Sequence, residues 1–213
     1  MEGNMLGHIL VCVLIGYLAG SISPSYIIGR IKGFDIREEG SKNAGASNTL
    51  IMVGKLAFVF VAFFDIFKAW FSFWICEKLF PELAFAGLIG GVSCVLGHIY
   101  PVFLHFHGGK GFACLAGLCL AYNPRTLFLM FLIALLIAFA TNYICLVTSL
   151  MSVIFPIYYG ATTHLWLGAL ILAIPIIPIF SRHMINFRRI RDGEELRLSY
   201  LWKKDSGQRQ QGI

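Results

Sequence analysis

The chain has 213 residues, of which 58% are hydrophobic and only 13% are charged. A soluble globular domain has about 25% charged residues and does not expose large apolar surfaces to water, so this composition excludes the soluble classes. The net charge is +6, but the basic residues lie in clusters beside apolar segments, a pattern typical of membrane topology rather than of nucleic-acid binding.

Apolar runs in chain order predict an all-α, polytopic helical membrane protein. A transmembrane helix needs about 20 apolar residues, and the shorter runs leave the count at about seven helices, within a range of five to seven. We expect a single integral membrane domain over residues 1–200, followed by a basic tail over 201–213. The predicted spans are Leu6–Arg30, Leu56–Cys76, Leu83–Gly97, Phe112–Tyr122, Thr126–Ala140, Leu146–Tyr159 and Leu165–Phe180.

The distribution of Lys and Arg predicts how the chain is oriented. No basic residue precedes Arg30, whereas basic residues cluster up to Lys55 and again after Ser181. Because cytoplasmic loops carry the excess of Lys and Arg, we expect the N-terminus outside and the C-terminus in the cytoplasm. Counting the crossings then puts four polar segments on the cytoplasmic side, namely residues 30–55, 98–111, 141–145 and 182–197.

The first polar segment contains a run of small and amide residues, Gly40–Asn48. Its glycines permit unusual backbone angles, and Ser41, Asn43 and Asn48 can donate hydrogen bonds to an anion such as a phosphate. An ordinary turn between two spans explains the same residues equally well. The nearby Arg37 favours the phosphate interpretation, since a guanidinium can bind phosphate in a bidentate manner.

The second polar segment places glycines around a lysine at the start of a predicted helix. Gly108, Gly109 and Gly111 surround Lys110, and free backbone N–H groups beside an ammonium would bind an anion. The alternative is that the glycines only permit a sharp re-entrant turn. The neighbouring His105 and His107 have no acidic partner, so we predict no metal site.

The last polar segment carries His183 and Asn186, which are one helical turn apart and therefore on the same side of a helix. His183 is a candidate for hydrogen bonding or proton transfer at the membrane surface, or else an ordinary interfacial residue. Within the second span, Asp65 and Lys68 suggest either a functional group or a mutual ion pair. The six cysteines form no CxxC pair, so neither disulfides nor zinc are predicted.

Taken together, these motifs resemble the acyl-phosphate:glycerol-3-phosphate acyltransferases of bacteria, the PlsY family. The similarity runs from Tyr17 to Glu195. The motifs that carry it are Gly20-Ser-Ile, Asp35-Ile-Arg-x-x-Gly-Ser-x-Asn-x-Gly-Ala-x-Asn48, Phe64-Asp-x-x-Lys68, Gly97-His-x-x-Pro-Val-Phe, Gly108-Gly-Lys-Gly111, His183-x-x-Asn186 and Gly193-x-Glu195.

The resemblance implies a multi-pass enzyme of the bacterial plasma (inner) membrane with its site on the cytoplasmic side. It would transfer a fatty acyl group from acyl phosphate to the 1-hydroxyl of glycerol 3-phosphate, giving lysophosphatidic acid and phosphate in the first step of phospholipid synthesis. Its partners would be these two substrates and membrane lipid, without any cofactor or nucleic acid, and we expect a monomer. The apolar spans would supply the groove for the acyl chain.

The same resemblance assigns roles to individual residues. It implies that Ser21 and Arg37 belong to the reacting centre, where His183 and Asn186 orient or polarise the reacting groups. It further implies that Lys110, with the amides of the adjacent glycines, holds the phosphate of glycerol 3-phosphate. The remaining implied substrate-binding residues are Ser41, Asn43, Asn48, Gly108, Gly109, Gly111, Cys145 and Glu195.

The chain departs from the family pattern at several positions. The usual Ser-Leu-x-Ser motif reads Cys145-Leu-Val-Thr148, so a thiol, a weaker hydrogen-bonding group, replaces a hydroxyl. Lys42 replaces a usual glycine, and His107 replaces a usual lysine. Two other functions would also involve a membrane protein with basic motifs. An acyl-CoA or acyl-carrier-protein enzyme would need a His-x4-Asp motif, which is absent from the sequence, and a transporter or binding protein for an organic phosphate remains the alternative.

Overall fold

The computed structural model describes residues 4–195 and 197–201, and this part of the chain is helical without any β-strand. The predicted basic tail therefore lies outside the described residues from position 202 onward. Short 3-10 turns follow the fifth helix and the last helix, at Val102–Leu104 and Leu198–Leu201. The α-helices are α1 (Met5–Ser21), α2 (Pro24–Ile31), α3 (Ala46–Met52), α4 (Lys55–Leu79), α5 (Ala86–Ile99), α6 (Phe112–Tyr122), α7 (Pro124–Thr141), α8 (Ile144–Thr163), α9 (Trp166–Ala173) and α10 (Ile176–Arg191).

Among the described residues, six helical segments are long and apolar enough to cross a membrane, and α6 is a shorter apolar helix between them. The prediction of an all-helical, multi-pass membrane protein is confirmed. Its seven predicted spans correspond to these six segments together with α6. The 11 residues of α6 extend over only about 16 Å, so α6 alone is too short to cross the hydrocarbon core.

Two of the predicted spans are interrupted rather than continuous. The first span breaks at Ile22 and Ser23, and the last one breaks between α9 and α10. Pro24 and Pro175 stand at these breaks, and proline lacks the N–H that would continue the hydrogen bonding of the preceding helix. The last span also runs beyond its predicted end at Phe180, since α10 continues to Arg191.

The span Ala86–Leu104, which contains α5, is the most enclosed of the six, and 72% of its most apolar stretch is buried. It packs against α1 through small residues, because a Cβ atom at Gly16, Gly20 or Gly97 would overlap a backbone carbonyl of the facing helix. Small residues of this kind let two membrane helices approach closely. The bundle therefore holds α1 and α5 in a fixed register, with the break after α1 beside the end of α5.

The four polar segments of the sequence meet at one end of the bundle. Arg37 Nη1 donates to Leu104 O over 2.9 Å, which joins the first segment to the second. Lys110 Nζ donates to Asn186 Oδ1 over 2.6 Å, which joins the second to the last. The third segment contacts the chain that follows α10, since Leu198 N donates to Asn142 O over 2.8 Å.

Candidate active site

A hydrogen-bonded chain of three polar side chains forms the centre of this end of the bundle. Lys110 Nζ donates to Asn186 Oδ1 over 2.6 Å, and Asn186 Nδ2 donates to Glu195 Oε1 over 2.8 Å. The three residues come from the loop before α6, from α10 and from the segment after α10. Glu195 Oε2 is buried and has no partner among the described residues. Within the described residues, these hydrogen bonds thus leave two ammonium protons of Lys110 and one carboxylate oxygen of Glu195 for a ligand.

Burial lowers the pKa of Lys110 from its ordinary value, while the Glu195 carboxylate acts in the opposite direction. An ammonium that is partly withdrawn from water interacts more strongly with an anion, because water screens its charge less. Lys110 is therefore suited to hold a phosphate.

His183 lies one turn before Asn186 on the same face of α10, and its side chain is buried with 1% exposed. Its Nδ1 lies 2.8 Å from Ile179 O. Since a carbonyl oxygen can only accept, Nδ1 carries the proton, and in a neutral imidazole Nε2 is left as an acceptor. The sequence prediction that His183 and Asn186 share one side of a helix is confirmed.

The glycines before α6 do not act as the sequence suggested. Gly108 N donates to Ile99 O over 3.2 Å, and Gly109 N donates to His98 O over 3.0 Å. The expectation that both amides are free to bind an anion is therefore wrong, because they are used to fold the loop back onto the end of α5. Gly111 has a φ of +92° directly before α6, a backbone conformation that favours glycine.

Sequence reasoning missed Arg182, which fastens this loop to α10. Arg182 Nη2 donates to Ile99 O over 3.0 Å and to Phe106 O over 2.6 Å, and the guanidinium lies over the ring of Tyr100. Its partners are backbone carbonyls about 80 positions earlier, at sequence separations of 83 and 76. No pattern in the local sequence identifies such partners, although an Arg directly before His183 was a visible signal.

Arg37 is held in place by its own loop. Its Nε and Nη2 donate to the two carboxylate oxygens of Asp35 over 3.0 and 2.6 Å, and the guanidinium also lies over the ring of Tyr26. Hydrogen bonding from the guanidinium lowers the pKa of the Asp35 carboxyl, and the carboxylate raises the pKa of Arg37. With Nη1 donating to Leu104 O, three of its five N–H groups are used, and the other two have no partner in the described part of the chain. Arg37 is thus a fixed cation with two N–H groups available to a ligand.

In the Gly40–Asn48 loop, one predicted donor holds the loop together and two others remain available. Asn48 is fully buried, and it accepts from Ser41 N and donates to Ile36 O and Glu39 O. Its predicted role as a free donor is wrong, because both amide protons are used within the loop. Ser41 is exposed and Asn43 is half-buried, and among the described residues neither side chain has a hydrogen-bond partner.

Ser21 ends α1 at the break in the first span, where its side chain is buried and Oγ donates to Tyr17 O over 2.8 Å. Beside it, Lys68 Nζ lies 2.7 Å from Asp65 Oδ1, so the predicted ion pair within the second span is present. Cys145 is buried at the start of α8, close enough to Lys110 and Glu195 for both charges to interact electrostatically with its thiol.

Asn142 is a second residue that sequence reasoning missed. It has a φ of +61° between α7 and α8, and its side chain accepts from Ser199 N and donates to Ser199 Oγ. Leu198 N also donates to the Asn142 carbonyl. These contacts fasten the segment after α10, which carries Glu195, across the end of the bundle.

An apolar cavity of about 470 Å³ lies among α4, α6, α7 and α8. Phe112, the residue that follows the Lys110 loop at the start of α6, lies in its wall. The cavity follows α6 as far as Cys119 and reaches Pro124, the first residue of α7. Nearly all of its lining is hydrophobic. Its other lining residues are Ile66, Leu115, Ala116, Leu127, Phe128, Met130, Phe131, Ala134, Met151 and Phe155.

One group of buried side chains has the composition of a metal site. Ligand atoms of Asp65, His98 and Cys114 lie within 4.8 Å of one another. The ammonium of Lys68 already lies at this position, 2.7 Å from the carboxylate and 3.1 Å from His98 Nδ1. The Lys68 ammonium therefore already neutralises the Asp65 carboxylate. These residues do not fit an additional metal ion.

Comparison with known proteins identifies a family over nearly the whole chain. The family model described as glycerol-3-phosphate acyltransferase matches residues 10–193. A glycerol-3-phosphate acyltransferase of Staphylococcus carnosus is 35% identical over 202 residues, which cover 91% of this chain and 99% of the relative. Another, from Burkholderia multivorans, is 35% identical over 196 residues, which cover 90% of this chain and 91% of the relative.

Two solved structures are similar in fold and in sequence. Both are of PlsY, an integral membrane glycerol 3-phosphate acyltransferase. The glycerol 3-phosphate form has a TM-score of 0.79 and 32% identity, and the match covers 93% of this chain and 99% of that one. The lysophosphatidic acid form has a TM-score of 0.76 and 31% identity, with 89% and 94% covered.

Proposed function

The chain belongs to the glycerol-3-phosphate acyltransferase family, and we propose that it takes its acyl group from an acyl phosphate. The acyl group passes to the 1-hydroxyl of glycerol 3-phosphate, giving lysophosphatidic acid and inorganic phosphate. This would be the first step of phospholipid synthesis in a bacterial plasma membrane, with the site on the cytoplasmic side. The enzyme works as a monomer among membrane lipids, without a cofactor.

The observation that carries this proposal is the presence of two separate cationic centres at one end of the bundle. Lys110 is joined to Asn186, and Arg37 is held by Asp35 and Leu104 O. A reaction between acyl phosphate and glycerol 3-phosphate brings two phosphate groups together, so each needs its own cation. We assign the phosphate of glycerol 3-phosphate to Lys110 and that of the donor to Arg37, with Ser41 and Asn43 as further donors.

The chemistry asks little of the protein beyond positioning and charge neutralisation. The hydroxyl oxygen of glycerol 3-phosphate attacks the acyl carbonyl carbon, and the bond from that carbon to the phosphate oxygen breaks. Phosphate leaves with the bonding electron pair and takes up the hydroxyl proton. Because an acyl phosphate is a mixed anhydride with a good leaving group, fixed cations and fixed substrate geometry account for the rate.

The residues near Asn186 fit the acceptor side of this reaction. His183 Nε2 is free to accept a hydrogen bond from the attacking hydroxyl, while Asn186 and Glu195 hold Lys110 in place. Ser21 and Cys145 line the same end of the bundle. The cavity along α6 begins next to the Lys110 loop, and its apolar lining suits the acyl chain of the donor.

Purified protein in lipid or detergent, supplied with labelled glycerol 3-phosphate, tests the proposal. Palmitoyl phosphate and palmitoyl-CoA are compared as donors, and lysophosphatidic acid is measured. We expect product from palmitoyl phosphate and none from palmitoyl-CoA, and Lys110→Ala serves as the matched low-activity control. Product from palmitoyl-CoA, or no product from palmitoyl phosphate with folded protein, would overturn the assignment of the donor.

A further inference from the structure

The break in the first span leaves backbone carbonyls without helical partners inside the protein. Helix α1 ends at Ser21 and α2 begins at Pro24, so the last carbonyls of α1 cannot be paired by a continuing helix. An unpaired carbonyl at membrane depth costs several kcal/mol, so another donor is needed there. The break also carries Ser21, a residue of the proposed reacting centre.

Lys68, from the middle of α4, supplies the missing donors. Its Nζ donates to Gly20 O over 3.0 Å and to Ile22 O over 2.8 Å. Both side chains of the ion pair with Asp65 are buried, each with 3% of its surface exposed. An ion pair alone would require only Asp65, whereas two of the three ammonium protons of Lys68 go to carbonyls on either side of Ser21.

The same ammonium also reaches the loop that carries Lys110. His98 Nδ1 lies 3.1 Å from Lys68 Nζ and 3.4 Å from Asp65 Oδ1. The opposite edge of the ring packs against Gly109, where a Cβ atom would overlap His98 Nε2, and the His98 carbonyl accepts from Gly109 N over 3.0 Å. His98 therefore connects the buried ion pair to the residue next to Lys110.

We propose that Lys68 is a positioning residue, which fixes the Ser21 break relative to the Lys110 loop through the Gly20 and Ile22 carbonyls on one side and His98 on the other. The proposal rests on the proposed function, because it assigns Ser21 and Lys110 to one reaction. Lys68 touches neither substrate. It acts by aligning two catalytic segments that belong to different helices.

The test separates the hydrogen bonds of Lys68 from its charge. In D65N/K68M the buried pair is replaced by neutral side chains of similar size without donors to the carbonyls, so no unpaired charge remains. In the matched variant D65N/K68Q, the Gln amide restores two N–H donors. Both are compared with the wild type in kcat, in KM for glycerol 3-phosphate and in Tm.

We expect D65N/K68M to have a lower Tm, because the Gly20 and Ile22 carbonyls lose their donors. Measured well below that Tm, its KM should stay near the wild-type value, while kcat falls on the order of 10–100-fold, the effect of a misplaced reacting group. D65N/K68Q should recover much of this loss. Wild-type kcat in D65N/K68M would overturn the proposal, and so would equal loss in the Met and Gln variants.

A charge-retaining variant keeps the proposal testable if the neutral pair does not fold. Lys68→Arg preserves the cation beside Asp65, but its longer, planar guanidinium does not reproduce the three N–H donors that one ammonium directs at the two carbonyls and at His98. We expect reduced kcat at unchanged Tm, and full kcat would overturn the proposal. Failure of the proposed function is recognised separately, because the wild type itself would then form no lysophosphatidic acid from palmitoyl phosphate.

Discussion

Lys110 and Asn186 are 76 positions apart in the chain, and a hydrogen bond of 2.6 Å from Nζ to Oδ1 joins them. This contact links the loop before α6 to α10. It also fixes the direction of the ammonium, because Asn186 is held in turn by Glu195.

Replacement of Lys110 by Ala should raise the KM for glycerol 3-phosphate by about 10–100-fold, since a hydrogen bond to a charged group contributes roughly 1.5–3 kcal/mol. The KM for the acyl donor should change little, because Arg37 serves the donor. Steady-state kinetics with each substrate varied in turn measures this. Lys110→Arg is the control and should retain part of the affinity. Equal effects on both substrates would argue against the assignment of Lys110.

Arg37→Ala should nearly abolish turnover. The change removes the cation proposed for the donor phosphate and also the contact between the Asp35 loop and Leu104 O. Arg37→Lys keeps the charge but not the bidentate contact with Asp35, so we expect it to remain well below the wild type. Asp35→Asn is the control for the loop itself. Near-normal kcat in Arg37→Ala would remove this residue from the reacting centre.

In a pH profile of kcat/KM for glycerol 3-phosphate, the fall on the alkaline side should occur at a lower pH than the pKa of an ordinary lysine would give. Burial lowers the pKa of Lys110, so the ammonium loses its proton below the usual value of about 10.4 as the pH rises. In Lys110→Arg this limb should move out of the accessible range, because an arginine stays protonated above pH 12. An unchanged limb in that variant would assign the titration to another group.

Cys145→Ser should be tolerated or should increase the rate. Cys145 is buried near Lys110 and Glu195, and a hydroxyl is a stronger hydrogen-bonding group than a thiol. Activity and Tm of the purified variant check the expectation, and Cys119→Ser, in the wall of the apolar cavity, is a comparison away from the polar centre. A large loss of activity in Cys145→Ser would mean that this position is organised differently here.

Enlarging a side chain in the apolar cavity should change which acyl chains are used. Ala116 and Ala134 both line the cavity between α6 and α7. We expect Ala134→Phe to lower kcat/KM for palmitoyl phosphate more than for a decanoyl donor, and the comparison of the two donors measures the change. Ala69→Ser, a buried position outside the cavity lining, is the control. If both donors are affected equally, the acyl chain lies elsewhere.

The apolar runs predicted the helices well, because the membrane requires long uncharged helices whatever their tertiary contacts are. The break at Ile22 and Ser23 was not predicted, because no charged residue interrupts the first apolar run there, although Pro24 and the serines beside it were a visible signal. Its carbonyls are satisfied by Lys68, a partner that becomes visible only once α4 is packed against α1. The ion pair of Asp65 and Lys68 was one of two predicted interpretations because its spacing is local.

The sequence predicted which residues form the polar centre better than it predicted their hydrogen bonds. His183 and Asn186 follow from helical spacing, and Lys110 from its glycine-rich surroundings. The hydrogen bonds from the amides of Gly108 and Gly109 to the end of α5 could not be foreseen, because they depend on how the loop folds back onto that helix. The amide side chain of Asn48 is of a type suited to ligand binding, yet all of its hydrogen bonds hold its own loop together.

In the proposed reaction, acyl phosphate and glycerol 3-phosphate meet at the end of the bundle where Lys110 and Arg37 lie. The most direct measurement follows inorganic phosphate and lysophosphatidic acid in the same reaction, with palmitoyl phosphate as the donor. We expect the two products to appear in equal amounts and both to depend on glycerol 3-phosphate. Phosphate release without lysophosphatidic acid, or lysophosphatidic acid formed equally well from palmitoyl-CoA, would contradict it.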